Sequence, residues 1–299
     1  MKKTILFVCV LFSINFASAF NVASYNIRNF GNPPWDGDTD LAELTRVLNS
    51  FEFDLLSVVE IYDKEKFEDY IHDNFPQYEV SIGNCGGGNG QKLGFIYNKN
   101  RLLLMETYDD LRTTEYYSDV YYCDSGSRPV TVGMFHDAIL GQNFTAMVVH
   151  FKSGGGSNNL KKRYIQYDKL NDIMSELRAE GHENFIVSGD FNTTEYTKHG
   201  EPYRIFMDLV HSNDLADMAD LVECTSYWWG GVNDGLQYPS LLDHVLVSNE
   251  FMIDNFSDFD VKVKAHCEQT QCLPTKEWQL GNTFEGVSDH CPLVVEFAE

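Results

Sequence analysis

Positive charge is scarce in this 299-residue sequence: 22 lysines and arginines face 45 aspartates and glutamates, a formal net charge of −23. Such a chain repels polyanions at long range, which argues against a broad basic docking face for DNA or anionic lipid. A polyanionic substrate stays open, because a metal ion and a few local arginines invert the field inside a cleft. Beyond the N-terminus there is no apolar stretch of the roughly 20 residues a spanning helix needs, so no stable membrane anchor is expected. No C-x-x-C pairs occur, which weakens a zinc reading of the cysteines. Linkers rich in proline or serine, sustained charge blocks and internal repeats are also lacking. Residues 20–299 therefore read as one domain.

The N-terminus has what the rest lacks. Lys2 and Lys3 precede an apolar run from Ile5 to Phe12, broken by Ser13 and Asn15, and the segment closes on Ala17, Ser18 and Ala19. That order is a signal peptide cleaved after Ala19, and it places the protein outside the cell or in a periplasm. Loss of Lys2 and Lys3 leaves 20 basic against 45 acidic residues, a charge of −25. Cys9 would leave as well. Cys85, Cys123, Cys224, Cys267, Cys272 and Cys291 then form an even set suited to disulfides, with Cys267–Cys272 the first expected pair.

Strand and helix patterns alternate along the chain. Residues 21–26 and 54–60 read as strands, with a helix between them carried by Leu41, Leu44, Val47 and Leu48 and capped by Asp38 or Thr39. Further strands are expected at 93–97, 102–107, 129–136, 144–150, 184–188, 242–247 and 292–297. The clearest helix spans 159–180, with Leu160, Tyr164, Tyr167, Leu170, Ile173, Met174 and Leu177 on one face and a stop at Gly181. So many strands suit packed sheets covered by helices.

Polar residues cluster at the ends of these strands. Asn26 follows S-Y, Glu60 ends LLSVVE, His150 ends MVVH, Asp190 and Asn192 stand in G-D-F-N, Asp243 in L-L-D-H, and Asp289 and His290 in S-D-H. One acid after a strand is ordinary turn chemistry. Repetition over several strands is not, because loops at strand ends are where sites are built.

The ordered motifs SYNIR (24–28), VVE (58–60), HFKSG (150–154), SGDFN (188–192), LDHVLVS (242–248) and SDHCPL (288–293) resemble the endonuclease/exonuclease/phosphatase superfamily. S-Y-N-I-R-N-F-G and the Arg128 of S-R-P-V bring the chain nearest to the deoxyribonuclease-I-like and bacterial extracellular nuclease branches. The resemblance implies a four-layered α/β sandwich, two packed mixed β-sheets flanked by helices, with the site at one rim. It implies a metal held by Glu60 with Asn26 and Asp289, and a catalytic group of His150, Asp190, Asn192, Asp243 and His290, with Asp243 orienting His290. Arg128 matches a phosphate-contacting arginine. Carboxylate and amide oxygens favour Mg²⁺, with Mn²⁺ or Ca²⁺ as substitutes. The implied activity is a secreted, monomeric phosphodiesterase acting on nucleic acid, DNA favoured, by in-line attack of water. Two other readings share the motifs: a sphingomyelinase-like phospholipid phosphodiesterase, and a catalytically silent binding protein. No exposed apolar hairpin is expected, which weighs against the lipid reading.

Two departures from the deoxyribonuclease pattern stand out. The glutamate that supports the first histidine there aligns with Gln91, and an arginine that contacts DNA aligns near Tyr62. Lys152 and Ser153, in HFKSGGGSNN, read equally well as phosphate contacts and as a turn. Lys161, Lys162 and Arg163 read as a solvated helix start, and Trp228 and Trp229 as packing residues.

Overall fold

The structure is a computed structural model that describes residues 19–32, 38–124, 126–193 and 200–298. The expected signal peptide therefore lies outside the described residues except for Ala19, which opens the first strand.

Two six-stranded mixed sheets pack face to face. The first has the order β13 (Asp258–Val263), β15 (Leu293–Ala298), β1 (Ala19–Phe30), β2 (Leu55–Ile61), β4 (Lys92–Asn98) and β3 (Tyr78–Ile82). The second runs β5 (Leu102–Asp110), β6 (Val130–Asp137), β7 (Gln142–His150), β8 (Phe185–Asp190), β12 (Asp243–Ser248) and β9 (Leu215–Asp217). Among the described residues, only β1–β2 and β7–β8 pair in parallel. A small third sheet joins β10 (Ser226–Trp228), β11 (Leu236–Ser240) and β14 (Thr275–Lys276).

The period of two along β1 and β2 explains the layering. Phe20, Val22, Leu55 and Val59 join the large core that includes Val132, Phe135, Ala146 and Val148 of the second sheet. Their alternates Ala23, Tyr25, Ile27, Leu56 and Val58 face outward and pack under α1 (Leu41–Leu48) and α2 (Lys64–Asn74). Across the other sheet lie α3 (Ser157–Ala179) and α4 (Glu201–Ser212), through Leu170, Ile173, Met174, Leu177, Phe206 and Leu209. Helices α5 (Asn249–Asn255), α6 (Ala265–Thr270) and α7 (Glu277–Gly286) complete the described set. This is the four-layered sandwich the motifs imply, and each expected strand and helix is present with small shifts at its ends. One cap differs: Asp40, not Asp38 or Thr39, caps α1 by accepting from Glu43 N at 3.0 Å. Gly181 ends α3 with φ 96°, and the next amide, His182 N, reaches back to Leu177 O at 3.0 Å.

The end of the sandwich where β1 begins is closed by a buried ion cluster. Arg101 Nε donates to Asp137 Oδ2 at 2.7 Å, and its NH1 lies 3.4 Å from Asp54 Oδ2. Asp54 also accepts from Asn21 N and from Asn98 Nδ2. Such a pair survives burial only because hydrogen bonds satisfy its remaining lone pairs.

The cysteines correct one expectation. Cys267 pairs with Cys291 and Cys272 with Cys224, while Cys85 pairs with Cys123. Cys267 sits inside α6 and is fully buried towards β15, whereas Cys272 lies beyond the helix end with φ 54°. Each finds its partner outside the helix, in Cys291 and Cys224, so sequence proximity does not make them partners.

Candidate functional site

Five strands bring a polar side chain to one rim: Asn26 within β1, Glu60 next to the end of β2, His150 and Asp190 at the ends of β7 and β8, and Asp243 at the start of β12. The register there is direct: His150 lies opposite Asp190, and Asp190 opposite Asp243. Ser57 and Ser188, one turn of the pleat deeper, meet across the two sheets with Oγ atoms 2.6 Å apart. The apolar interior thus gives way to hydrogen-bonding groups as the rim is approached.

Two backbone features aim the carboxylates. Pairing of β2 with its neighbours slips between Val58 and Ile61, and Glu60 takes a left-handed φ of 67°. A bulge of this kind turns a side chain out of strict alternation, here from the outer face towards the rim. Gly189 has φ 130°, and a Cβ there would come within 2.1 Å of Val149 O. Only glycine brings β8 this close to β7 immediately before Asp190.

The side chains converge tightly. Asn26 Nδ2 donates to Glu60 Oε1 at 3.1 Å and to Asp190 Oδ2 at 3.2 Å. His150 Nε2 is 3.6 Å from Glu60 Oε1 and 3.5 Å from Asp190 Oδ2. His290 Nε2 is 3.8 Å from Asp190 Oδ2, and its Nδ1 is 2.7 Å from Asp243 Oδ2. Asn192 N donates to Asp190 Oδ1 at 2.8 Å, while Asn192 Nδ2 and Arg128 NH2 both donate to Phe151 O. Asp289 is half-buried beside this group, near enough for its charge to act on Glu60 and His290. Lys152 and Ser153 stand outside it: Lys152 Nζ donates to Ser153 O at 3.2 Å, and Ser153 is exposed.

Burial sets the protonation pattern. It pushes Glu60 up, and it raises Asp190 to about 7, aided by the charges of Asp243 and Glu60. It also drives His150 well below the ordinary imidazole range, with Arg128 and His290 adding to the effect. For His290 burial acts in the same downward sense, but Asp243 outweighs it by charge and hydrogen bond, and the ring is held well above its usual value. The two histidines that face Asp190 therefore differ: one is neutral and one is protonated near pH 7.

This donor set fits a hard divalent cation. Ligand atoms of Glu60, His150 and Asp190 lie within 4.8 Å of one another, and so do those of Asp190, Asp243 and His290. Buried carboxylates this close together are unstable as anions without a compensating charge. Asn26 turns its amide nitrogen towards them and uses Oδ1 to accept from Arg28 N at 3.0 Å. To ligate a metal it would have to turn over and release that bond. A third cluster, His266, Cys267 and Cys291, contains a disulfide and is accounted for by it.

Several supporting residues carry no sequence signal of their own. Ser288 Oγ donates to Asn26 O at 2.7 Å and accepts from His290 N, tying β1 to the S-D-H segment. Asn29 N donates to Glu60 Oε2 at 3.1 Å. Arg163, read as solvated, is buried and its NH1 donates to Lys152 O at 2.6 Å. Gln91 does not support His150. Its amide donates to Asn29 Oδ1 at 2.9 Å, and no described polar group bonds His150 Nδ1. Trp228 and Trp229 are not packing residues either: they are 48% and 58% exposed in the β10–β11 hairpin, so an exposed apolar hairpin is present after all.

Comparison with known proteins agrees with the motifs. No curated protein sequence matches the chain. A 3′–5′ exonuclease from Neisseria meningitidis superposes with a TM-score of 0.61 at 17% identity, covering 94% of this chain and 100% of the other. A mannosyl-6-phosphatase from Bacteroides thetaiotaomicron gives 0.59 at 19% identity, covering 94% and 100%. D. rerio TDP2 complexed with a single-strand DNA product gives 0.59 at 14% identity, again covering 94% and 100%. At these identities the likeness is one of fold. The sequence model of the Endonuclease/Exonuclease/phosphatase family matches residues 23–290, from β1 through the S-D-H segment, and the chain belongs to that family of phosphoester hydrolases.

Proposed function

We propose that residues 20–299 form one domain that acts, as an exported monomer, as a divalent-metal-dependent phosphodiesterase on nucleic acid, DNA favoured. The observation that carries this reading is the pair of unlike histidines around one carboxylate. Glu60, Asp190 and, after turning, Asn26 would hold the metal, with Asp289 beside them; Mg²⁺ is the expected ion. When bound, it withdraws charge from a phosphate oxygen and from the departing oxygen.

The remaining work falls to this chain's own residues. His290, held charged by Asp243, donates to the phosphate as negative charge builds. Asn192 and Arg128, both anchored on Phe151 O, orient that phosphate. Asp190 and the neutral His150 are the acceptors available for the proton of attacking water. Three disulfides and the absence, among the described residues, of a helix able to cross a membrane are compatible with export.

One observation favours the lipid reading as a second: the exposed Trp228–Trp229 hairpin, next to His290 through the Ser226–His290 bridge. Assays of plasmid DNA, RNA and sphingomyelin, with and without chelator, separate the two. Chelator-sensitive cleavage of plasmid is expected. Cleavage of sphingomyelin alone would replace the first reading, and loss of neither with chelator would remove the metal from it.

A further inference from the structure

Lysines are few in this chain, yet Lys152, Lys161 and Lys162 share one neighbourhood beside the site, on the β7–α3 loop and the first turns of α3, with Lys169 further along the same helix. Lys152 lies close enough to Arg128 and Lys162 for their charges to act on it. The three lysines of α3 meet tyrosines of the 115–124 segment. Lys162 Nζ stands 4.9 Å from the Tyr116 ring centre, Lys161 Nζ 5.9 Å from that of Tyr117, and Lys169 Nζ 4.7 Å from that of Tyr121. The Tyr116 and Tyr117 rings are 6.2 Å apart, tilted by 56°. Tyr117 is 70% exposed, although a tyrosine gains by burying its ring.

The segment is held in place rather than left to wander. Cys123 is bonded to Cys85, its carbonyl accepts from Gly87 N at 3.1 Å, and Ser127 N donates to Thr114 O at 2.9 Å. Tyr116 also bonds Ser127, the neighbour of Arg128. Read outward from the metal cluster, the order is Arg128, then Tyr116 with Lys152 and Lys162, then Tyr117 with Lys161. Cations thus alternate with rings along a path that starts at the phosphate site, Tyr116 half-buried and Tyr117 open to solvent.

A strand with exposed bases and regularly spaced phosphates matches that alternation, because rings take base faces while ammonium groups take phosphates. A duplex hides its base faces and would use only the lysines. We propose that Tyr116, Tyr117, Lys161 and Lys162 form a subsite for unpaired nucleotides flanking the scissile phosphate, so that single-stranded nucleic acid is the preferred substrate. The proposal rests on the nuclease reading above and narrows it.

The test compares wild type with Tyr117→Ala, Tyr117→Phe and Lys161→Ala/Lys162→Ala, all surface changes outside the metal cluster. Substrates are a short single-stranded oligonucleotide, the same sequence as a duplex, and bis(p-nitrophenyl) phosphate, which is too small to reach the subsite. Tyr117→Ala should raise KM for the single strand about 5-fold or more, leave the small diester unchanged, and be matched by no such loss in Tyr117→Phe. The double lysine variant should lessen the salt dependence of single-strand KM. Equal losses on single strand and duplex, or none on either, would overturn the subsite. So would unchanged oligonucleotide kinetics together with lost binding to phosphatidylserine vesicles. Wild-type hydrolysis of the small diester without cleavage of either oligonucleotide would instead sink the nuclease reading itself.

Discussion

Replacing Asp190 by asparagine should make the metal-free protein more stable and inactive at once. Burial lifts this carboxyl from 3.8 to about 7. A group whose folded value is raised favours the folded state while protonated, below about pH 4, and loses that contribution as pH rises through the folded value near 7. The loss is about 1.4 kcal/mol per unit, hence on the order of 4 kcal/mol above pH 7. Asparagine keeps an oxygen for Asn192 N–H but sets an NH₂ against that of Asn26, which costs about 1 kcal/mol. The net gain is on the order of 3 kcal/mol, or roughly 6 °C in Tm for a domain of this size. Thermal melts of both proteins in chelator between pH 4 and 8 check it. The two curves should nearly coincide at the acid end and separate towards pH 7. Added Mg²⁺ should then raise the wild-type Tm only. A Tm difference independent of pH would refute the assignment of buried charge to this carboxylate.

Three further outcomes are expected. Glu60→Gln should leave the circular dichroism unchanged while abolishing turnover at limiting Mg²⁺; near-normal activity with unaltered metal dependence would place the metal elsewhere. In a double-mutant cycle on kcat/KM, Asp243→Asn should cost nearly as much as His290→Ala, and the pair little more than His290→Ala alone, whereas fully additive losses would separate the two residues. Non-reduced peptide mapping should recover Cys224–Cys272 and Cys267–Cys291, and each bond should contribute about 3–4 kcal/mol by closing its loop; a Cys267–Cys272 peptide would contradict this fold of α6.

Legibility followed locality. The helix over 157–179 is evident because its apolar face, Leu160 to Leu177, repeats over nearly five turns and a glycine ends it. The rim residues are evident because most stand beside an apolar strand run, and their order matches a family. The edge strand β13 is not, since DFDVKV is half-exposed, half-charged and pairs with β15 residues 30 to 40 positions later. The strands of the third sheet are two to five residues long and give no period to detect. Gln91 misled because alignment fixes a residue's position along the chain, whereas its amide is aimed by the turn at Gly90, with φ 75°. The cysteine pairing misled because the fold brings up partners 24 and 48 residues away, which spacing along the chain does not reveal.

The ladder between β1 and β15 sets Ala19 opposite Ala298, beside the Arg101 cluster. Asn26 lies seven residues further along β1, about 23 Å away at the usual rise of a strand. Both ends of the described chain therefore emerge side by side at the pole facing away from the catalytic rim. A carrier or bead joined at Ala19 or Ala298 would therefore attach on the side away from the cleft and leave the cleft facing the medium. The same adjacency makes the two ends joinable by a short linker, with new termini opened in an exposed loop such as the turn around Gly141.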